Sequence, residues 1–287
     1  MASSVLGATT SFNVMSYGAI GNGRADDSQA FVKAWKAVCE AKSTTPILYI
    51  PPKKTFMLKP LTFSGPCKSS RIYILVSGMI IAPKKPEWRG NNQPNAWLIF
   101  ANINGLIVSG KGTINGQGSS WWPQPCLNNP ISVTLAIHIL ITATNGALVS
   151  NLRVIAPYTS PNTDGIDISS STSVQIRNSF IGTGDDCIAI SAGSSNINIT
   201  GITCAPGHGI RRRQVAISDV TYSGISGTSV AENVINLSCS QSVGCSNIKL
   251  DRVYITSSTP GKKVYANCVN AHGKSTHTKP AVNCLLP

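Results

Sequence analysis

The chain has 287 residues, few of them charged, with 24 Lys+Arg against 11 Asp+Glu for a formal net charge of +13. That length is ample for one large core, and no stretch approaches the roughly eighteen apolar residues a membrane-spanning helix needs. The cation excess fits a polyanionic partner, of which nucleic acid, acidic polysaccharide and anionic membrane are the classes, because clustered cations raise the local concentration of an acidic substrate. No run of basic residues is longer than Arg211-Arg212-Arg213, and no nucleic-acid-binding module is recognisable, so neither nucleic acid nor membrane is expected as partner.

Nine cysteines suggest an oxidising compartment. Asn198-Ile-Thr and Asn236-Leu-Ser are glycosylation acceptor patterns that matter only in a secreted chain, yet Met1 to Gly7 lacks the basic start and apolar run of a signal peptide.

In chain order, Asp26-Asp27-Ser28-Gln29 opens a helix, with Asp26 and Gln29 in capping-box spacing. Ala30, Phe31, Ala34, Trp35 and Val38 then share one face. From Ile47 the pattern is strand, turn, strand: Leu48 to Ile50, Ile72 to Val76, Leu98 to Phe100, Leu106 to Val108 and Val133 to Leu135 are short and β-rich, with Gly, Pro or Asn between them. Trp121-Trp122-Pro123 interrupts them as a loop whose tryptophans cover the flank or stack on sugar rings.

The informative stretch is Ser160 to Ile210. It holds Asn162-Thr163-Asp164-Gly165, Gly184-Asp185-Asp186-Cys187 and Gly207-His208-Gly209, and Asp164, Asp186 and His208 are spaced by 22 residues and 22 again. Short strands lie between them, at Ile166 to Ser169, Val174 to Ile176, Ile188 to Ile190 and Ile197 to Ile199. A fixed period of strands without helices predicts an all-β solenoid in which residues one period apart stack one above another, about 4.8 Å apart. An amphipathic helix is the expected plug for its open end. Three acids and an imidazole would then gather on one patch, a site for acid/base chemistry. Adjacent strand residues point to opposite faces, so Asp185 and Asp186 both reach such a patch only where the strand is bulged or ends, as Gly182 and Gly184 permit. Solvated turn aspartates and a calcium site are the other readings of clustered carboxylates.

At these three motifs, in this order and with Ser160-Pro161 ahead of them, the chain resembles the polygalacturonases, the pectin-hydrolysing glycoside hydrolase family 28. The likeness extends in patches from Phe12 to the C-terminus, with Tyr17-Gly18-Ala19 similar to the start of family members. It implies a single-stranded right-handed parallel β-helix with an N-terminal capping helix, one domain over 1–287, a cap at about 12–45 and active-site coils at about 160–210. It also implies a secreted, monomeric enzyme of the cell wall that needs neither cofactor nor metal and acts on pectin or polygalacturonate.

By resemblance Asp185 is the acid that protonates the leaving oxygen, Asp164 and Asp186 hold and deprotonate the water, and His208 tunes the acid. Asn162, Gly184 and Gly207 belong to the substrate-binding motifs. The family inverts the anomeric centre, for which carboxylates roughly 6.5–9.5 Å apart are usual, whereas stacking at one strand spacing implies a closer pair. Implied disulfides are Cys39–Cys67, Cys187–Cys204, Cys239–Cys245 and Cys268–Cys284, which leaves Cys126 without a partner.

An Arg-Ile-Lys motif that supplies cations to the substrate is expected after the histidine and is absent. Marking each repeat at Leu148, Val174, Ile197, Val215 and Ile248 gives intervals of 26, 23, 18 and 33, and 18 is short for a coil. Leu106 to Leu148, 42 residues, is likewise short for two turns. An internal deletion is therefore expected near 210–214, with another near Ile137. Two alternatives follow: a catalytically impaired pectin-binding relative, and a calcium-dependent pectate lyase on the same fold.

Overall fold

The computed structural model describes residues 10–84, 96–117, 137–160, 163–212 and 217–287. All named strand pairs are parallel, and they fall into two sheets that share the laps of one right-handed β-helix. The smaller sheet stacks Leu61–Ser64, Ala96–Ala101, Ile137–Thr142, Asp164–Ser169, Asp186–Ile190, Gly209–Arg212, Asn233–Ser238 and Tyr265–Val269 in that order. The fifteen-stranded sheet wraps the remaining sides.

Hydrophobic alternation fixes this stack. Leu98, Ile139, Ile166, Ile188, Ile210 and Ile235 pair in register on successive laps, and all are buried in the core. Ala147, Val174, Ile197, Val220 and Ile248 form an equivalent interior ladder in the larger sheet. Burying one such aliphatic side chain contributes about 1.5–3 kcal/mol, and a one-residue slip would turn a whole ladder outward.

Corners need a different device. Lys111, Asn151, Asn178, Gly201, Gly224, Arg252 and His277 each have φ between +49° and +64°, one at the same bend of successive laps. A left-handed residue swings the chain sharply, and Asn and Gly adopt that conformation at least cost. From Thr172–Gly182 onward the strand runs unbroken through this bend, as it does in Ser195–Cys204, Ser218–Ser229, Cys245–Ser257 and Ala271–Lys279.

The N-terminal plug is helix α1, Ser28–Glu40, whose buried face is Ala30, Phe31, Ala34, Trp35 and Val38. Its start is not the expected capping box. Asp26 ends a strand and accepts from the Ser28 backbone N–H and hydroxyl, while Asp27 is the N-cap and its carboxylate accepts from the Ile20 and Gly21 N–H groups. The Asp27 side chain is thus spent on tying the helix start to the turn that precedes the strand Asn22–Asp26.

Register corrects the repeat count. Ile197 pairs with Val220, 23 residues on, and Val220 pairs with Ile248, so the coil read as 18 residues long has 23. The repeat marker chosen at Val215 lies outside the described residues, and the equivalent position is five residues later. Leu106–Ser109 pairs directly with Asn145–Ser150, so the long interval is one lap rather than two short ones. All four implied disulfides are formed. The Trp121-Trp122-Pro123 loop, Cys126 and the Val133 to Leu135 strand lie outside the described residues.

Candidate active site

Three consecutive laps of the smaller sheet bring the motif residues together. Asp164 opens Asp164–Ser169, Asp186 opens Asp186–Ile190, and His208 immediately precedes Gly209–Arg212. The first two strands pair through Ile166–Ile188, and the second and third through Asp186–Gly209 and then Ile188–Ile210, a change of register that marks a bulge beside Cys187. Asp185 sits in the bend just before its strand. Bulge and strand end together release the adjacent carboxylates from strict alternation.

Glycines allow the laps to approach. A Cβ on Gly184 would lie 1.8 Å from the Ser160 carbonyl oxygen, and one on Gly207 would lie 2.9 Å from the Asp185 carbonyl oxygen and 3.1 Å from Cys187 Sγ. Both glycines are therefore demanded by packing. Thr163 ties the same turn, its hydroxyl accepting from the Gly184 N–H at 3.1 Å and donating to the Ser160 carbonyl at 2.9 Å. The Cys187–Cys204 bridge lies behind, with both residues fully buried. Asn162 lies outside the described residues.

The polar contacts run upward from Asp164. Its Oδ1 accepts from the Asp186 N–H at 3.2 Å. Asp186 is 3% exposed; its Oδ2 has no hydrogen-bond partner and lies 3.7 Å from Arg211 Nη1. Asp185 Oδ1 and His208 Nδ1 are 2.7 Å apart, and the His208 N–H donates to the Asp185 carbonyl, also at 2.7 Å. One donor atom from each of Asp185, Asp186 and His208 falls within 4.8 Å of the others. That is closer than the spacing usual for inverting pairs.

Burial, followed by the negative charges of Asp164 and Asp185, pushes the Asp186 carboxyl up to about 8, against the opposing pull of Arg211 and His208. It therefore keeps a proton at neutral pH, as crowded carboxylates must. His208 is raised by its hydrogen bond to Asp185, with burial opposing and the charges of Asp185 and Asp186 adding to it. The raised carboxyl is thus one of the two that the resemblance assigns to the water.

Two neighbours of this cluster carry no role in the sequence reading, which weighs Arg211 to Arg213 only as accidental substitutes for the missing cations and takes His138 as an ordinary histidine. Arg211, its side chain 44% exposed, faces Asp186, and His138 hydrogen-bonds the Asp164 backbone. Nothing in a triple arginine or in a lone histidine within an apolar strand distinguishes these roles without the register.

A parallel β-helix carrying clustered aspartates and a histidine on adjacent laps is the frame of a carbohydrate-cleaving hydrolase. The model of "Glycosyl hydrolases family 28" matches residues 39–135, 131–212 and 211–279. The chain belongs to that family and is by membership a glycoside hydrolase. It is 32% identical to a protein named "Probable polygalacturonase" of Arabidopsis thaliana over 372 residues, covering 96% of this chain and 81% of that one. It is also 42% identical over 227 residues to polygalacturonase QRT2 of the same plant, covering 70% of this chain and 50% of that relative. The chain thus spans about half the length of the second of these relatives. Among solved structures it resembles the endo-xylogalacturonan hydrolase of Aspergillus tubingensis, with a TM-score of 0.63 at 18% identity over 94% of this chain and 82% of that one, a likeness of fold. These relatives do not favour the lyase or the non-enzymatic reading. No helix among the described residues is long and apolar enough to cross a membrane.

Proposed function

We propose that this chain hydrolyses α-1,4-galacturonosyl bonds of pectin or polygalacturonate as a secreted monomer of the cell wall. The observation that carries the reading is the convergence of Asp164, Asp185, Asp186 and His208 from three successive laps. Asp185 is the acid: it is the more exposed of the adjacent pair, its side chain 12% accessible against 4% for Asp186, so it can touch the leaving oxygen. A carboxylate oxygen of Asp186, the group that keeps a proton, lies within 4.8 Å of one of Asp185. Transfer to Asp185 as substrate enters leaves Asp186 ionised, and Asp164 and Asp186 together then polarise a water for attack on the anomeric carbon. As Asp185 gives its proton to the leaving oxygen, the attacking water gives its own to Asp186, which restores the resting arrangement; His208, hydrogen-bonded to Asp185, tunes the acid.

The chain is a shortened family member. In support, the family match comes in three pieces that meet at 131–135 and at 211–212, and the first relative aligns over 372 residues against a chain of 287. With the Arg-Ile-Lys coil lacking, Arg211 supplies a cation beside the cluster, 3.7 Å from Asp186. The test is release of reducing ends from polygalacturonate: the wild-type protein releases them and Asp185→Asn does not. Equal release by both proteins would overturn the assignment of the acid.

A further inference from the structure

We propose that His138 is a positioning residue for the reaction, holding Asp164 in place through that residue's own backbone carbonyl. The inference rests on the function proposed for the aspartate cluster. His138 lies on the Ile137–Thr142 strand, one lap before Asp164, and is 3% exposed. Its Nδ1 is 2.9 Å from the Asp164 carbonyl oxygen. A carbonyl only accepts, so Nδ1 carries the proton and Nε2 the lone pair. Burial, the largest effect, pushes the imidazole's proton affinity down and keeps the ring neutral, against the pull of the Asp164 carbonyl.

The ring is fitted, not merely enclosed. A Cβ on Gly116 would lie 2.3 Å from Nε2, so the slot exists only because that position lacks a side chain. The Gly116 N–H donates to the Ile155 carbonyl at 2.9 Å, which fixes the slot's wall, and Nε2 has no hydrogen-bond partner. The Trp97 ring meets the imidazole edge-on at 6.3 Å and is itself anchored by its Nε1–H to the Leu58 carbonyl at 2.9 Å. The unbroken register from Ile137–Asp164 to Ile139–Ile166 sets His138 on the lap directly beside Asp164, within reach of its carbonyl.

Movement at 163–164 propagates to every member of the cluster. The Thr163 carbonyl accepts from the Asp185 N–H at 3.3 Å, and Asp164 Oδ1 accepts from the Asp186 N–H. Loss of the imidazole removes this hydrogen bond to the Asp164 carbonyl and lets the turn relax, misaligning the water-holding carboxylates while leaving the sugar-binding surface intact.

The experiment compares His138→Leu, His138→Asn and Gly116→Ala with wild type in turnover of polygalacturonate, and follows the His208 imidazole titration by NMR. In His138→Leu, kcat falls about a hundredfold, the usual consequence of an ångström-scale misplacement, while KM changes little. The His208 midpoint also moves. His138→Asn, whose amide N–H donates from the place of Nδ1, recovers most of the loss. Gly116→Ala, which keeps the histidine but drives a methyl group into its ring, lowers kcat in the same way. Wild-type kcat together with an unchanged His208 titration in His138→Leu overturns the proposal, whatever happens to its melting temperature. Should that variant not fold, the other two decide by the same criteria. Should wild type release no reducing ends, the functional reading falls, and the His208 titration alone then decides: displaced in the variants it upholds the positioning role, unchanged it refutes it.

Discussion

Replacing Asp186 by Asn should make the protein more tolerant of neutral pH while destroying its activity, and the size of the gain follows from the site. The carboxyl's ordinary value of 3.8 is raised to about 8 in the folded protein, chiefly by burial. Between those values the folded state holds a proton that the unfolded chain has released. Stability is therefore lost as pH rises from 3.8 towards 8, by about 1.4 kcal/mol per pH unit. Asn is neutral throughout and removes this slope. The difference in unfolding free energy between D186N and wild type should then widen by about 3 kcal/mol between pH 5 and pH 7, roughly 6–12 °C in melting temperature for a chain of this size. His208 has its proton affinity raised, so its contribution is fully present below 6.5 and is lost as pH rises through its folded value; being common to both proteins, it largely cancels. Urea unfolding at half-unit pH steps measures the difference. A gap that stays flat from pH 5 to pH 7, or widens towards acid, would refute the claim that Asp186 is protonated in the resting site.

Arg211→Ala should raise KM for polygalacturonate roughly tenfold, as loss of one charge-assisted contact does, and weaken the salt dependence of binding. It should also raise the Asp186 carboxyl further, since the guanidinium now opposes that shift; the D186N comparison in the Arg211→Ala background measures this. Gly184→Ala should destabilise the protein by about 1–3 kcal/mol and remove activity, because its methyl group would lie 1.8 Å from the Ser160 carbonyl oxygen. A chelator should leave product release unchanged, with no ultraviolet-absorbing unsaturated ends. NMR of fresh product should show an inverted anomeric centre. Retention would instead make one of Asp164 and Asp186 a nucleophile.

The site was legible because a solenoid converts sequence period into spatial register: Asp164 and Asp186, 22 residues apart, had to stack once the isoleucines between them were read as strands. The inward face of α1 was legible for the same reason, since Ala30, Phe31, Ala34, Trp35 and Val38 repeat with the helix. Asp26 misled because a capping-box spacing also suits an aspartate that ends a strand and turns back onto Ser28. Val215 misled because an aliphatic residue five positions before Val220 satisfies the same short pattern, and only hydrogen-bonded pairing to Ile197 tells them apart. His138 gave no signal, since its function depends on a carbonyl one lap away and on a missing Cβ at Gly116.

The column of left-handed bends has a consequence for how such a molecule changes over generations. Each bend is completed by one residue and is held only by the circuits directly above and below, so the fold has no preferred number of storeys. Whole storeys can be removed or added at a seam if the cut respects the period. What must survive is adjacency among the few floors that carry Asp164, Asp185, Asp186 and His208, so the chemistry sets a minimum height and leaves the rest of the tower free to vary.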